Sequence, residues 1–278
     1  MIKQLSNLSI EDINSMNYNE IIAITKETNR PPGGRITIND IITNLNITEQ
    51  TTILEIGTST GYSALEISRF VKCKIIAIDI NDASLEEARA RAKTENSFNI
   101  QFIKADVMKL PFEKDYFDII LIGNVFSLVS NKETALKECL RVLKQMGFII
   151  AVPMYYVKKP SNILVQKVSE AIRVNITPQY KSDWDSFFKT PYFDLYMEKN
   201  YLFDRINDKK ITAFVEDILA RPHLLQIKKP VLEKLKAKYG EQIKLFRENL
   251  SHMGYTIYFL SPKRAWEDPE LFTAKKTK

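Results

Sequence analysis

Cysteine is nearly absent from the chain, with only Cys73 and Cys139 among 278 residues. The two stand far apart and lack the paired spacing of a zinc site. Neither a disulfide framework nor a metal centre is therefore expected, and both thiols read as buried or idle. Histidine is equally scarce, with His223 in ARPHLL and His252 in LSHMG. Few side chains can exchange protons near neutral pH. Long apolar runs are also missing: the longest, FIIAVPMYYV from Phe148 to Val157, falls short of the ~20 residues that span a bilayer. No early segment combines a basic start, an apolar core and a small-residue cleavage site. A cytoplasmic protein without a membrane partner is expected. There is no internal repeat and no low-complexity tract.

What is present is a hydrophobic content of 45% in a 32.2 kDa chain, enough for one large domain or a domain with a substantial appendage. The net charge of +6 is uneven, because residues 228–278 hold twelve basic residues against six acidic ones. Within VLEKLKAKYGEQIKLFREN the lysines alternate with acids at helical spacing, as on a solvated face, so nucleic acid is not the expected partner.

Taken in order, residues 1–45 predict short helices outside the main sheet. Apolar residues recur at Ile10, Ile13, Met16, Ile21, Ile22 and Ile24, with Ser9 as a cap. RPPGGRIT, Arg30 to Thr37, reads as a fixed turn, either a connector or the edge of a pocket, and a helix is expected from about Asn39 to Leu45. Residues 46–154 alternate strand and helix five times, which calls for a mostly parallel, doubly wound sheet with helices on both faces. Residues 155–230 predict a helical, aromatic cover inserted after strand five. Residues 231–278 predict a last helix, a last strand (GYTIYFLS) and a basic tail returning to the core.

The centre of this pattern is TILEIGTSTGYSALEIS, Thr52 to Ser68. An apolar strand stops at Gly57, a small-polar loop of Thr58, Ser59 and Thr60 ends at Gly61, and a helix begins at once. Such a turn lets a ligand approach the backbone, and the first N–H groups of the helix face it. KIIAIDI ends in Asp79, 22 positions after Gly57, the spacing that brings a strand-end carboxylate to the two hydroxyls of a ribose. Asp106 and Val107 close the third strand, and Asn124 follows the fourth. All four loops fall at the carboxyl edge, where ligands of such sheets bind. Asp118 begins its strand and so reads as structural.

Four ordered pieces over about Thr52 to Met154 resemble the class I S-adenosylmethionine-dependent methyltransferases. LEIGTSTG is similar to the family's acidic-x-G-x-G-x-G loop. AIDI supplies the acidic strand end and KADVMKLPF the third piece. FDIILIGNVF, followed by ECLRVLKQMGFII, is similar to the family's leader R-V-L-K-P-G-G. Ser59 replaces a glycine, and Gln145 and Met146 replace the Pro-Gly. The resemblance implies a Rossmann-like core binding S-adenosylmethionine. Glu55 and the backbone of Gly57 to Gly61 would hold its amino-acid end, Asp79 the ribose, and Ile80 and Val107 the adenine faces. Asp106 would take the adenine amino group, and Asn124 would stand near the sulfonium. A dinucleotide-dependent oxidoreductase is the rival, but the loop is G-x-x-x-G rather than G-x-G-x-x-G, and a third strand-end acid follows.

The implied chemistry is methyl transfer to O, N or C of a small organic acceptor, with a general base required only if the acceptor arrives protonated. His223 is the candidate base. Tyr18, Arg30, Trp184, Phe188 and Tyr192 are the candidates for an acceptor pocket. Two alternatives stand beside this: an RNA or protein methyltransferase docking through Lys234, Lys236, Lys238 and Lys244, and a cofactor-binding protein without catalysis.

Overall fold

The computed structural model describes residues 4–188 and 192–263. The expected basic tail beyond these falls on residues 264–278, outside the described residues. The chain opens with α1 (Ile10–Ser15) and α2 (Tyr18–Thr25), each started by a reciprocal capping box, Ser9 with Asp12 and Asn17 with Glu20. Then follows α3 (Arg35–Asn44). It begins earlier than the expected Asn39 because Gly34, at φ +56°, serves as its N-cap. A glycine pair that reads as a helix breaker is here the helix start. Gly33, at φ +76°, leaves room for the Tyr255 hydroxyl, which a β-carbon would strike.

The core alternates β1 (Thr52–Ile56), α4 (Tyr62–Phe70), β2 (Lys74–Asp79), α5 (Asp82–Thr94), β3 (Ile100–Lys104), β4 (Phe117–Ile122), α6 (Lys132–Val142) and β5 (Leu143–Ala151). The central strands β1, β2 and β4 are largely apolar, β-branched runs covered on both faces, as parallel sheets require. Two apolar clusters result, one on each side of the sheet. Leu54, Ile76, Ile120 and Phe126 lie on one side, and Ile53, Ile75, Ala77 and Leu121 on the other.

Beyond Ala151 come β6 (Met154–Tyr156), α7 (Asn162–Ile172), α8 (Lys181–Phe188), β7 (Phe193–Leu202), α9 (Asp208–Leu219), α10 (Lys229–Leu250) and β8 (Met253–Pro262). Strand order runs β3-β2-β1-β4-β5-β8. The first five strands are parallel, while β8 is antiparallel to β5 and β6 along one side and to β7 along the other. The segment read as a helical cover thus includes an edge strand of the main sheet. A third apolar cluster, separate from the sheet, joins α1 and α2 to α9 and α10 through Ile13, Ile21, Ile24, Val215, Leu235 and Tyr239. This is the helical roof.

Two ties fix the sheet at its ends. Asp118 accepts from Thr52 N (2.8 Å) and pairs with Lys144 (2.8 Å), holding the starts of β1, β4 and β5 together. Arg141 donates to the carbonyls of Phe112 (2.7 Å) and Leu110 (3.0 Å), fixing the connection between β3 and β4. At the other edge, Glu55 is only 5% exposed and accepts from Thr58 Oγ1 (2.6 Å) and Ala64 N (3.2 Å), so its carboxylate shapes the turn and holds the start of α4. Burial raises its pKa, against the opposing pull of these hydrogen bonds.

Two outcomes are expected. Gly57 sits at φ +74°, and a β-carbon there would overlap Val125 Cγ2. Gly57→Ala should cost about 2–4 kcal/mol in urea unfolding, from left-handed strain plus overpacking. Adding Val125→Ala should recover only the overpacking part. For Glu55, a carboxyl pKa raised by folding contributes stability that is present below its unfolded value and lost as pH rises through the folded one. Glu55→Gln should therefore match the native chain near pH 4.5 and gain on it as pH rises; a growing advantage for the native chain would reverse the assignment.

Candidate functional site

The parallel register of β1 and β2 pairs Ile56 with Ile78, so both strands end at one level. Past that level the Ile78 carbonyl accepts from two loop amides, Gly57 N (2.9 Å) and Thr58 N (3.0 Å). Ser59, at φ +48°, donates its N–H to Asp79 Oδ2 (2.8 Å), and Asn81 N donates to Asp79 Oδ1 (2.9 Å). Each carboxylate oxygen keeps a further lone pair for a donor in the cleft. Ile80, next to it, is 69% exposed, an apolar side chain at the rim of a polar loop.

At the neighbouring strand ends, Asp106 is exposed and accepts from Met108 N (2.8 Å) through Oδ1, while Val107 is buried against the sheet. Asn124 is engaged in structure: its Oδ1 accepts from Met154 N (2.9 Å) and Ser127 Oγ (2.8 Å), joining the end of β4 to the start of β6. The residues singled out at the carboxyl edge, Glu55 to Gly61, Asp79, Ile80, Asp106, Val107 and Asn124, therefore stand along one rim of the sheet.

The acceptor candidates do not share one surface. Trp184 is 1% exposed, stacks on Phe188 and donates from Nε1 to Met154 O (3.2 Å), with the Lys132 ammonium 4.5 Å above its ring. Trp184 and Phe188 belong to the sheet's own core, beside Phe126 and Tyr258. An amphipathic helix of this size buries its largest rings where apolar surface is available. Tyr192 is exposed just before β7. Tyr18 lies instead in the roof, 4.3 Å from the Phe246 ring, and Arg30 sits 5.3 Å above the ring of Tyr62, the first residue of α4. Of the five, Arg30 is the one with a contact beside the glycine loop.

His223 likewise serves as a tie. Its Nε2 donates to Ile24 O (3.1 Å) at the end of α2. His252 lies 3.6 Å from Glu248.

Between Ile24 and Arg30, both marked in the sequence, residues 25–29 carry no sequence signal, and the segment from Ile24 to Arg30 runs as a strap between roof and loop. Arg221 donates to the carbonyls of Thr25 (2.9 Å) and Lys26. Arg91, from α5, donates to Lys26 O (2.9 Å), Thr28 Oγ1 (3.0 Å) and Thr60 Oγ1 (3.3 Å), and Asn29 N donates to the same Thr60 hydroxyl (3.3 Å). Glu27 accepts from the Tyr239 hydroxyl of α10; burial raises its pKa, opposed by that bond and by the nearby Arg30 and Arg221. Burial and the Glu27 charge push the phenols of Tyr18 and Tyr239 upward. The Glu87–Arg91 pair at i,i+4 is the one local signal of this network.

Comparison with known proteins agrees with this geometry. A family model described as a methyltransferase domain matches residues 54–151. An uncharacterized protein of Haemophilus influenzae is 27% identical over 166 residues, 59% of this chain and 66% of that protein. The ubiquinone/menaquinone biosynthesis C-methyltransferase UbiE of Azotobacter vinelandii is 36% identical over 129 residues, 45% of this chain. The chain spans about half the length of that relative (50%). Among solved structures, the MccD protein superposes with a TM-score of 0.70 at 26% identity, covering 84% of this chain and all of that one. An S-adenosylmethionine-dependent methyltransferase from Thiobacillus denitrificans, solved with S-adenosylhomocysteine, shares the fold at TM-score 0.63 and 15% identity over 89% of this chain and all of its own. The domain match over residues 54–151 coincides with the four strand-end motifs on one rim, and over this core the chain is similar to S-adenosylmethionine-dependent methyltransferases.

Proposed function

We propose that the chain transfers the methyl group of S-adenosylmethionine to a small organic acceptor held beneath the helical roof. The observation that carries this reading is the Asp79 carboxylate, fixed against the glycine loop by Ser59 N with lone pairs left over, beside the exposed Ile80. That donor set suits an adenosyl group. A carboxylate accepts from two ribose hydroxyls and repels a phosphate there, Ile80 and Val107 offer apolar contact to an adenine, and Asp106 can accept from its amino group through Oδ2. The Gly57 to Gly61 backbone would hold the amino-acid end.

When bound, S-adenosylmethionine supplies an electrophilic methyl group on a cationic sulfur. An acceptor's lone pair would take the methyl carbon in line, with the electron pair of the broken carbon–sulfur bond remaining on sulfur. An acceptor that began protonated passes its proton to water or a nearby base. The chain's own residues align the two partners and exclude water, effects that can be large without a covalent catalyst. Gly57, Thr58, Ser59 and Asp79 fix one side, and Tyr18, Arg30 and the strap close over the other.

The UbiE relatives, named as C-methyltransferases of ubiquinone and menaquinone biosynthesis, support a small organic acceptor. Docking of RNA or protein through Lys234, Lys236, Lys238 and Lys244 is disfavoured because three of these four are engaged within the chain. Lys236 pairs with Glu216 (2.8 Å), Lys244 with Asp208 (3.8 Å), and Lys238 donates to Ile13 O (2.8 Å) and Asn14 O (2.6 Å).

Calorimetry tests the proposal. S-adenosylhomocysteine should bind and NAD should not. Asp79→Ala should weaken S-adenosylhomocysteine roughly 10–100-fold, the loss of charge-assisted hydrogen bonds of about 1.5–3 kcal/mol. Asp118→Asn, at the far edge, should leave the affinity within about twofold. Tight NAD binding with none for S-adenosylhomocysteine would overturn the reading.

A further inference from the structure

The strap from Ile24 to Arg30 is held in an unusual way. Between it and the outer face of α4 lies an open hollow of about 580 Å³, lined among others by Thr28, Arg30, Tyr62 and Arg91. That hollow is lined mostly by charged and polar side chains, with Arg30 lying over the Tyr62 ring. The strap is suspended by polar ties. Those to the roof are Arg221 to Thr25 O and Lys26 O, His223 to Ile24 O, and Tyr239 to Glu27. Those to the core include the Lys26–Glu87 pair (3.3 Å) and Arg30 over the Tyr62 ring, and the hydrogen bonds among them run through Arg91 and Thr60. Arg91 is only 19% exposed and is oriented by Glu87 (2.9 Å), and its remaining donors reach Lys26 O, Thr28 Oγ1 and Thr60 Oγ1. The Thr60 hydroxyl accepts from both Arg91 and Asn29 N. Thr60 is also the residue between Ser59, whose N–H engages Asp79, and Gly61, which opens α4.

We infer that Arg91 is a positioning residue which, through the Thr60 hydroxyl, couples the state of the glycine loop to the order of the strap, so that an occupied cofactor site closes the roof under which the acceptor binds. This rests on the cofactor reading above. The physical reason lies in the bond inventory. A segment fixed by a few polar ties over a hollow opens at low free-energy cost. A ligand that rigidifies the loop rigidifies whatever is bonded to it. The loop has two bonds into the strap region, and both end on one hydroxyl. Cofactor would then bind first and acceptor second, because the acceptor's cover is completed only over an ordered loop.

Hydrogen exchange on the full chain, with and without saturating S-adenosylhomocysteine, tests this. In the native chain the ligand should slow exchange across residues 24–30 by at least about tenfold. Thr60→Val keeps the β-branched shape and the loop backbone but removes the acceptor. At a concentration of S-adenosylhomocysteine that saturates this variant, it should lose the ligand-dependent protection of the strap. Arg91→Lys, which can reach one acceptor but not three, should retain part of it, and Arg91→Met none. A merely structural role for Arg91 would raise strap exchange equally with and without ligand, leaving the ratio unchanged, and that result overturns the inference. So does normal S-adenosylhomocysteine binding by the native chain with an unprotected strap, or full protection in Thr60→Val. Failure of the native chain to bind S-adenosylhomocysteine at all is the separate result that removes the cofactor reading, and this inference with it.

Discussion

The contact from Ser59 N–H to the Asp79 carboxylate, spanning 20 positions, is the constraint on which the rim of the sheet depends. It exists because β1 and β2 pair in parallel with Ile56 opposite Ile78, which brings the two strand ends level. The backbone between Gly57 and Gly61 must then turn back on itself, and it does so with φ values of +74°, +48° and +81° at Gly57, Ser59 and Gly61. Ser59 is the one non-glycine of the three. A left-handed serine costs of order 1 kcal/mol or more, and its N–H bond to a charged acceptor is the kind of interaction that offsets it. The same carboxylate is thereby presented to the cleft in one orientation.

Two different physical regimes meet at this rim. Below it, apolar packing on both faces of the sheet fixes strand ends to high precision, with polar ties such as Asp118 and Arg141 at its margins. Above it, the roof has its own apolar cluster and is linked to the loop by hydrogen bonds and ion pairs. A rigid lower half suits alignment of a cofactor, and a roof joined by polar ties suits an acceptor that must enter and leave.

The lower half was legible in the sequence. Runs such as KIIAID and FDIILI match buried strands, the first ending in Asp79 and the second followed by Asn124, and the position of both residues at the carboxyl edge follows from the alternation of strand and helix. Less legible was whatever depends on partners distant in sequence. The strand β7, DLYMEKNYL after Phe193, mixes charge with aromatics because one edge is unpaired and half of it faces solvent, so its pattern matches neither template. Trp184 and Phe188 carry no mark distinguishing a pocket lining from a core, and the core wins by burial. The start of α3 was hidden by two glycines that act as a cap. The Glu27–Tyr239 contact spans 212 positions, and no periodicity encodes it. His223 stands out in the sequence as the candidate base, but its engagement with Ile24 O cannot be read there.

The most direct test of the central claim is a crystal structure of the chain with S-adenosylhomocysteine. The expected result is a ribose whose two hydroxyls donate to Asp79, an adenine between Ile80 and Val107 with its amino group at Asp106, and the homocysteine end over Gly57 to Gly61. A ligand seated elsewhere, or a ribose turned away while Asp79 keeps only Ser59 and Asn81, would contradict it.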